Sequence, residues 1–399
     1  MVIISIQPSF EEVIHDVEIG NVEKDQFWIN ILASDNVEDG IALEEIVEVS
    51  KEDELKFHNK NGLIFERKIS KDVNYELTYD SLKYKIKTPK RKLTINDTIN
   101  ILTSFDVSQD QSHFLVCTGQ GDIIIHDMDT FSIKAHIHQA HLSTISKSLF
   151  FPSGKVILSS GLDYQIKVWS IDEVTSPARV FKGHTQDITD LAMVENGRNF
   201  FSASKDGFIK LWDCGSGSNI RTLQRSNSIR DGVTALKVTN QQSNTKFESS
   251  FDSNEFGTSG KNLFAGQNSG IVTLFDLNTK EEVLHFNSLN DKVNVLVDQS
   301  TPDELIVGYG NGIIAEWDIR NPINPITEIN LNGEINSISR SGSDLVISYG
   351  SGYIFQIDGK FKELRNQTIY AGIDDNFKFT TQRKEEIYAA NNQSEIVVF

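Results

Sequence analysis

Two sets of His, Ser, Asp and Trp stand at matching intervals in this chain: His141, Ser159, Asp163 and Trp169, then His184, Ser202, Asp206 and Trp212. A His, a Ser and an Asp are the parts of a hydrolytic site, in which imidazole takes the serine proton and a carboxylate orients the imidazole. Here the second set repeats the first at an offset of 43 residues, and each set adds a Trp. A catalytic triad is needed once, whereas a framework network recurs. The repeat therefore assigns these eight residues a structural role. The imidazole bridges Asp and Ser, and the Ser bridges on to the indole N–H, so each buried donor meets an acceptor. His136, His138 and His141 form a His-x-His-x-x-His run. Two His at strand spacing face the same way and can seed a zinc site. The segment supplies no Cys or carboxylate to complete a ligand set, and His141 already belongs to the repeated set, so no metal is expected. Gly119-Gln120-Gly121 and Gly215-Ser216-Gly217 read as hairpin turns, because a phosphate cradle needs a following helix. No catalytic residue and no cofactor is assigned, and the chain reads as a non-enzyme.

The elements that position these residues follow from the repeat. Its best copy is Ser202-Ala203-Ser204-Lys205-Asp206-Gly207-Phe208-Ile209-Lys210-Leu211-Trp212-Asp213, a small-residue strand, a tight turn and a strand ending in Trp-Asp. Worn copies end at His126-Asp127, Trp169-Ser170, Phe275-Asp276, Trp317-Asp318, Ile357-Asp358 and Phe399, at successive spacings of 43, 43, 63, 42, 40 and 42 residues. That period marks one four-stranded blade per copy. The expected fold is all-β: a seven-bladed WD-repeat β-propeller over residues 91–399, with a small acidic accessory domain over 1–90. The accessory domain shows short apolar runs at Val2–Ile6, Phe27–Leu32 and Ile41–Val49 and reads as mixed or β-rich. The long spacing after Trp212 is explained by a polar insertion, Asn240–Phe256, between the first two strands of the fourth blade. Phe399 falls at a third-strand position, so the last blade lacks a fourth strand of its own. That strand is expected from residues 80–95, which would close the ring and leave no open edge. Within this stretch Lys83, Lys85 and Lys87 alternate with Tyr84 and Ile86 as on a half-solvated strand, while Pro89-Lys90-Arg91-Lys92 also fits a short nuclear-import signal.

The net charge over 399 residues is −18. Residues 1–60 carry 15 acidic and 4 basic side chains, and residues 61–93 swing to +5. An acidic protein is repelled by phosphate backbones, so nucleic acid is disfavoured as a partner and a basic protein surface is favoured. No apolar run is long enough for a membrane span, and the N-terminus lacks the basic and small-residue flanks of a secretory signal. Cys117 and Cys214 alone fit reduced thiols in the cytoplasm or nucleus. A closed, highly charged ring is expected to be a monomer.

Acidic residues recur just before the first strand of successive blades: Asp97, Asp187, Asp231, Asp291, Glu334 and Asp375. Blade two has Ser143 and Thr144 instead. In a propeller these inter-blade loops line one face, the face of the Asp163 and Asp206 turns. Six carboxylates there would make a negative ring able to bind a basic partner. Asp is also a common turn residue, and the same positions are explained by turn chemistry alone.

Beyond the repeat, the chain carries Gln139-Ala140-His141, Phe150-Phe151-Pro152-Ser153-Gly154, Gly197-Arg198-Asn199-Phe200-Phe201-Ser202-Ala203-Ser204, Asp231-Gly232-Val233, Glu255-Phe256-Gly257-Thr258 and Ala315-Glu316-Trp317-Asp318-Ile319-Arg320. Over residues 110–360 this set resembles the proteasomal ATPase-associated factor family, in particular its fungal members. Around Gln26-Phe27-Trp28-Ile29-Asn30 the likeness is one of broad character only. The resemblance implies a WD-repeat chaperone for assembly of the proteasome regulatory particle. Such a chaperone binds the C-terminal domain of one proteasomal ATPase subunit and leaves before the mature proteasome works. The matching motifs are framework residues and name no partner contacts. The alternative is a generic WD-repeat adaptor, since Trp317-Asp318-Ile319-Arg320 resembles the Trp-Asp-x-Arg element of substrate receptors of cullin-type ubiquitin ligases. A propeller enzyme would need titratable groups converging in the central channel, where the sequence places small and apolar residues.

Overall fold

The structure, a computed structural model, describes residues 2–33, 43–59, 62–68, 74–95, 101–226, 230–241, 252–298, 301, 303–359, 367–371, 377–383, 386–391 and 395–399. The chain divides into two compact units: Met1–Leu93 with Ser339–Asn391 and Glu395–Phe399, and Thr94–Ile338 with Asn392–Ser394.

The second of these units is a succession of antiparallel four-stranded sheets, each built from consecutive strands. The first blade comprises Leu102–Val107, His113–Thr118, Ile123–Asp127 and Ile133–Ile137. The second comprises Ile145–Phe150, Val156–Gly161, Gln165–Ser170 and Arg179–Lys182. The third runs Ile188–Val194, Asn199–Ser204, Ile209–Asp213 and Asn219–Leu223. The fourth has Val233–Asn240, Lys261–Gln267, Val272–Asp276 and Glu281–Phe286, and the fifth Val293–Asp298, Glu304–Tyr309, Ile313–Asp318 and Thr327–Asn330. The strands flanking the insertion are thus the first and second of the fourth blade; residues 242–251 lie outside the described residues.

Burial explains the composition of each strand. Every residue of Asn199–Ser204 is buried, because both faces of a second strand are covered by neighbouring sheets, and the strand accordingly combines Phe200, Phe201 and Ala203 with short polar side chains alone. In the fourth strand Asn219–Leu223 only Leu223 is fully buried, Ile220 is half-buried, and Asn219, Arg221 and Thr222 are polar and exposed. The core lies between consecutive sheets. Leu158, Ile166 and Phe181 of the second blade pack on Leu191, Phe200 and Trp212 of the third. Phe181 meets the Trp212 ring edge-on at 5.6 Å. Gly207, at φ 84°, turns the chain from the second strand into the third in a conformation that glycine adopts without strain.

In the first-named unit, the helix Phe10–Glu18 buries Phe10, Val13, Ile14 and Val17, one stripe at helical spacing. It covers a sheet of Val2–Ile6, Lys24–Ala33, Leu43–Lys51 and Leu55–His58. Phe10, Phe27, Phe65 and Tyr75 fill that core with ring centroids 5.2–6.2 Å apart. A second sheet has seven strands. Ile335–Ser341, Asp344–Tyr349, Tyr353–Asp358 and Thr368–Tyr370 continue into Leu82–Lys87, Tyr75–Tyr79 and Ile64–Arg67. The join is parallel, Ile369 opposite Ile86, with the Lys85 N–H donating to Gln367 O at 3.0 Å. Leu82–Lys87 buries Tyr84 and Ile86 and exposes Lys83 and Lys85. Arg91–Thr94 is the fourth strand of the sheet Phe377–Arg383, Glu386–Asn391 and Glu395–Val398, and the Lys90 N–H donates to Val398 O at 2.8 Å. No helix among the described residues is long and apolar enough to cross a membrane.

Candidate functional site

In the second and third blades the recurring polar residues meet. His184 precedes the first strand, Ser202 lies on the second, Asp206 in the turn and Trp212 on the third. The His184 Nδ1–H donates to Asp206 Oδ2 at 2.9 Å; Nε2 lies 2.7 Å from Ser202 Oγ, which accepts from Trp212 Nε1–H at 2.8 Å. His141 repeats this with Asp163 at 2.9 Å and Ser159 at 2.9 Å, and Trp169 donates to Ser159 at 3.1 Å. Each of the two Ser hydroxyls therefore donates to imidazole and accepts from indole, and neither Ser159 nor Ser202 is left as a free nucleophile. The imidazoles are fully covered. Burial pushes the Asp206 carboxyl up, but bonds from His184 and from the Thr185 and Phe208 N–H groups outweigh it and hold the group at about 2. Asp163 is lowered by the same balance of burial against bonds from His141, Gln165 and Leu142. Burial raises both thiols, Cys117 and Cys214, to about 12, so neither is a ready thiolate.

The other blades fill these positions differently. In the fifth, Val307 occupies the place of Ser202, and Trp317 packs edge-on against Phe286 at 5.2 Å. In the first, His126 stands where Trp169 stands in the second and stacks on Phe114 at 4.8 Å.

The rim acids lie beside the turns between second and third strands. The Lys205 N–H donates to Asp187 O at 2.9 Å, Asn268 N–H to Gly232 O at 2.8 Å, and Gly310 N–H to Lys292 O at 3.0 Å. Three of the acids are ion-paired locally: Asp187 with Lys205 at 2.8 Å, Asp231 with Arg225 at 3.3 Å, and Glu334 with Lys292 at 2.7 Å. Asp291 accepts the Lys292 N–H at 2.7 Å. Asp97 and Asp375 lie outside the described residues. The rim therefore presents paired acids; Asp187–Lys205 and Glu334–Lys292 are open to solvent and exchange partners at little cost, whereas Asp231–Arg225 is largely covered. Arg320 folds back on Asp318 through two bonds of 2.8 Å, within its own blade.

Sequence reasoning passed over Asp106 and Asp190. Asp106 Oδ2 accepts from Phe150 N–H at 2.8 Å and Asp190 Oδ2 from Leu236 N–H at 2.8 Å, each linking the first strand of one blade to that of the next. Asp190 also pairs with Lys147 at 3.3 Å, tying the second blade to the third. Their only signal was an acid in the middle of a strand. The far end of the insertion is similarly anchored: the Asn199 side chain donates to Asn254 O at 3.0 Å, Arg198 lies over the Phe256 ring at 5.1 Å, and Glu255 forms a buried pair with Lys280.

Comparison with known proteins agrees with this arrangement. The family model for the WD domain, G-beta repeat, matches residues 131–170 and 175–213, the segments that hold both His–Ser–Asp–Trp sets. The fold is that of a WD β-propeller. The chain is similar to the 26S proteasome regulatory subunit RPN14 of Saccharomyces cerevisiae, 36% identical over 252 residues, covering 61% of this chain and 60% of that protein. It is also similar to LEC14B protein of Lithospermum erythrorhizon, 25% identical over 240 residues, covering 54% and 50%. Human pre-mRNA-processing factor 17 is 33% identical over 88 residues, 22% of this chain and 15% of that protein. The chain thus covers less than two thirds of the length of each of these relatives.

Proposed function

We propose that this protein is a non-catalytic, seven-bladed WD-repeat chaperone for assembly of the proteasome regulatory particle, which docks the C-terminal domain of a proteasomal ATPase subunit. The observation that carries this reading is the 36% identity over 252 residues to a yeast proteasome regulatory subunit, a match extending well beyond two repeats. The acid-lined rim supports the mode of binding. Lys205, Arg225 and Lys292 hold the carboxylates of Asp187, Asp231 and Glu334 in place. Basic side chains of a partner would replace Lys205 and Lys292, so docking would exchange one exposed pair for another and add apolar contact. The chaperone holds its subunit without ATP, as a monomer in the cytoplasm or nucleus, and competing subunits displace it. The adaptor reading gains nothing from Arg320, whose guanidinium fork is occupied by Asp318.

Binding of the full chain to the isolated C-terminal domain of each proteasomal ATPase, at low and high salt, tests this proposal. Selective binding to one domain that weakens with salt, and weakens further in Asp187→Lys with Glu334→Lys, is expected. Selective binding indifferent to both would remove the acidic rim and keep the chaperone. Absence of binding to every domain would sink the chaperone reading.

A further inference from the structure

A side-chain cluster on the first blade is used by none of the arrangements above. His136 is the penultimate residue of the fourth strand, and His138 follows directly after the strand's end at Ile137. The segment itself holds no third ligand, but the hairpin between the second and third strands brings Asp122 against both rings. Asp122 Oδ2 lies 3.4 Å from His136 Nε2 and 3.8 Å from His138 Nδ1. One ligand atom from each of the three residues lies within 4.8 Å of the others. The ring centroids are 3.6 Å apart.

We propose that Asp122, His136 and His138 bind a divalent cation of the zinc class. Two ligand atoms at zinc bond lengths in tetrahedral geometry stand about 3.3 Å apart. The carboxylate oxygen sits near that distance from one ring and within a small rotamer adjustment of it from the other. Both separations exceed the usual N–H···O length, so the oxygen is shared between the rings and bonded tightly to neither. The site is held from behind. Asp122 Oδ1 accepts the Gln139 N–H at 2.7 Å, which leaves Oδ2 for the rings. Gln139 takes φ 47° to make that turn. Gly121 packs so closely that a Cβ there would come within 2.2 Å of His141 O, and the His141 N–H donates to Gly121 O at 3.1 Å. The hairpin is thereby fastened to the segment that leads into the second blade's polar network.

The donor set is two imidazoles and one carboxylate, which suits zinc rather than magnesium or calcium. Three protein ligands leave a position for water or for a side chain of a partner. His138 is 73% exposed, so the cluster opens to solvent. This proposal is independent of the chaperone reading.

Titration of the full chain with zinc chloride, by calorimetry and by thermal melting, tests it. One bound equivalent and a raised Tm are expected, with affinity falling about tenfold or more in His138→Ala, a residue too exposed to matter for folding. Cobalt should give visible bands of four-coordinate intensity that vanish in His136→Ala/His138→Ala. Failure to bind zinc at submillimolar concentration overturns the site. So does zinc binding of unchanged stoichiometry and affinity in the double variant.

Discussion

Trp212 and Trp317 hold the same place in their blades but not the same chemistry. The Trp212 indole donates to Ser202 at 2.8 Å, whereas in the blade of Trp317 the place of that serine is taken by Val307. Trp212→Phe keeps most of the apolar area but takes a donor from a buried chain of bonds. It is expected to cost about 1–2 kcal/mol more than Trp317→Phe, which changes mainly packing. Denaturant midpoints of the two variants check this; equal losses would show that the network adds nothing to packing. The same network sets an acid limit. The Asp206 carboxyl is held at about 2, below its ordinary value near 4. Its contribution of about 2 kcal/mol is complete above that ordinary value and is lost as pH falls toward 2. Asp206→Asn should flatten the stability profile between these limits, read from unfolding curves at stepped pH.

Neighbouring blades are joined by more than side-chain packing. Asp190 receives the Leu236 N–H and the Lys147 ammonium from blades on either side. Asp190→Ala leaves that buried N–H without a partner, at a cost of about 1–3 kcal/mol, while Asp190→Asn keeps an acceptor and should cost less. Faster hydrogen exchange at the Leu236 amide in the alanine variant would locate the effect; unchanged exchange would count against the link. The contrast shows which parts of the fold are legible in sequence. The interval from Trp169 to Trp212 survives in the letters because each blade needs the same strand–turn–strand geometry. The reach of Asp190 does not, since an acid in mid-strand carries no mark of what lies beside it. Asp122 escapes for the same reason: its two His neighbours sit across a hairpin, and only the register of Ile124 opposite His136 brings them close. Alternation marked Leu82–Lys87 as a strand, but periodicity says nothing of which edge a strand will join.

At the scale of the molecule, that edge matters most. Leu82–Lys87 lies between Tyr75–Tyr79 and Thr368–Tyr370, paired on both sides. Ile86→Pro would remove a donor and force its ring into a central strand. Loss of exchange protection at both neighbours, residues 75–79 and 368–370, is the expected outcome; protection retained at 368–370 would mean that the parallel join is not needed there.

Ile86 faces Ile369, and Arg91–Thr94 shares a sheet with Glu395–Val398. Partners about 280 to 300 residues apart pay a large loop-closure cost and form late. During synthesis, the segment near residue 90 leaves the ribosome long before the strands it needs. The edge of Leu82–Lys87 must wait unpaired until translation has passed residue 370, and that of Arg91–Thr94 until it has passed residue 395. A chain cut short would keep those edges open and sticky. Factors that bind open strands therefore meet a longer-lived target here than in blades closed by consecutive strands alone.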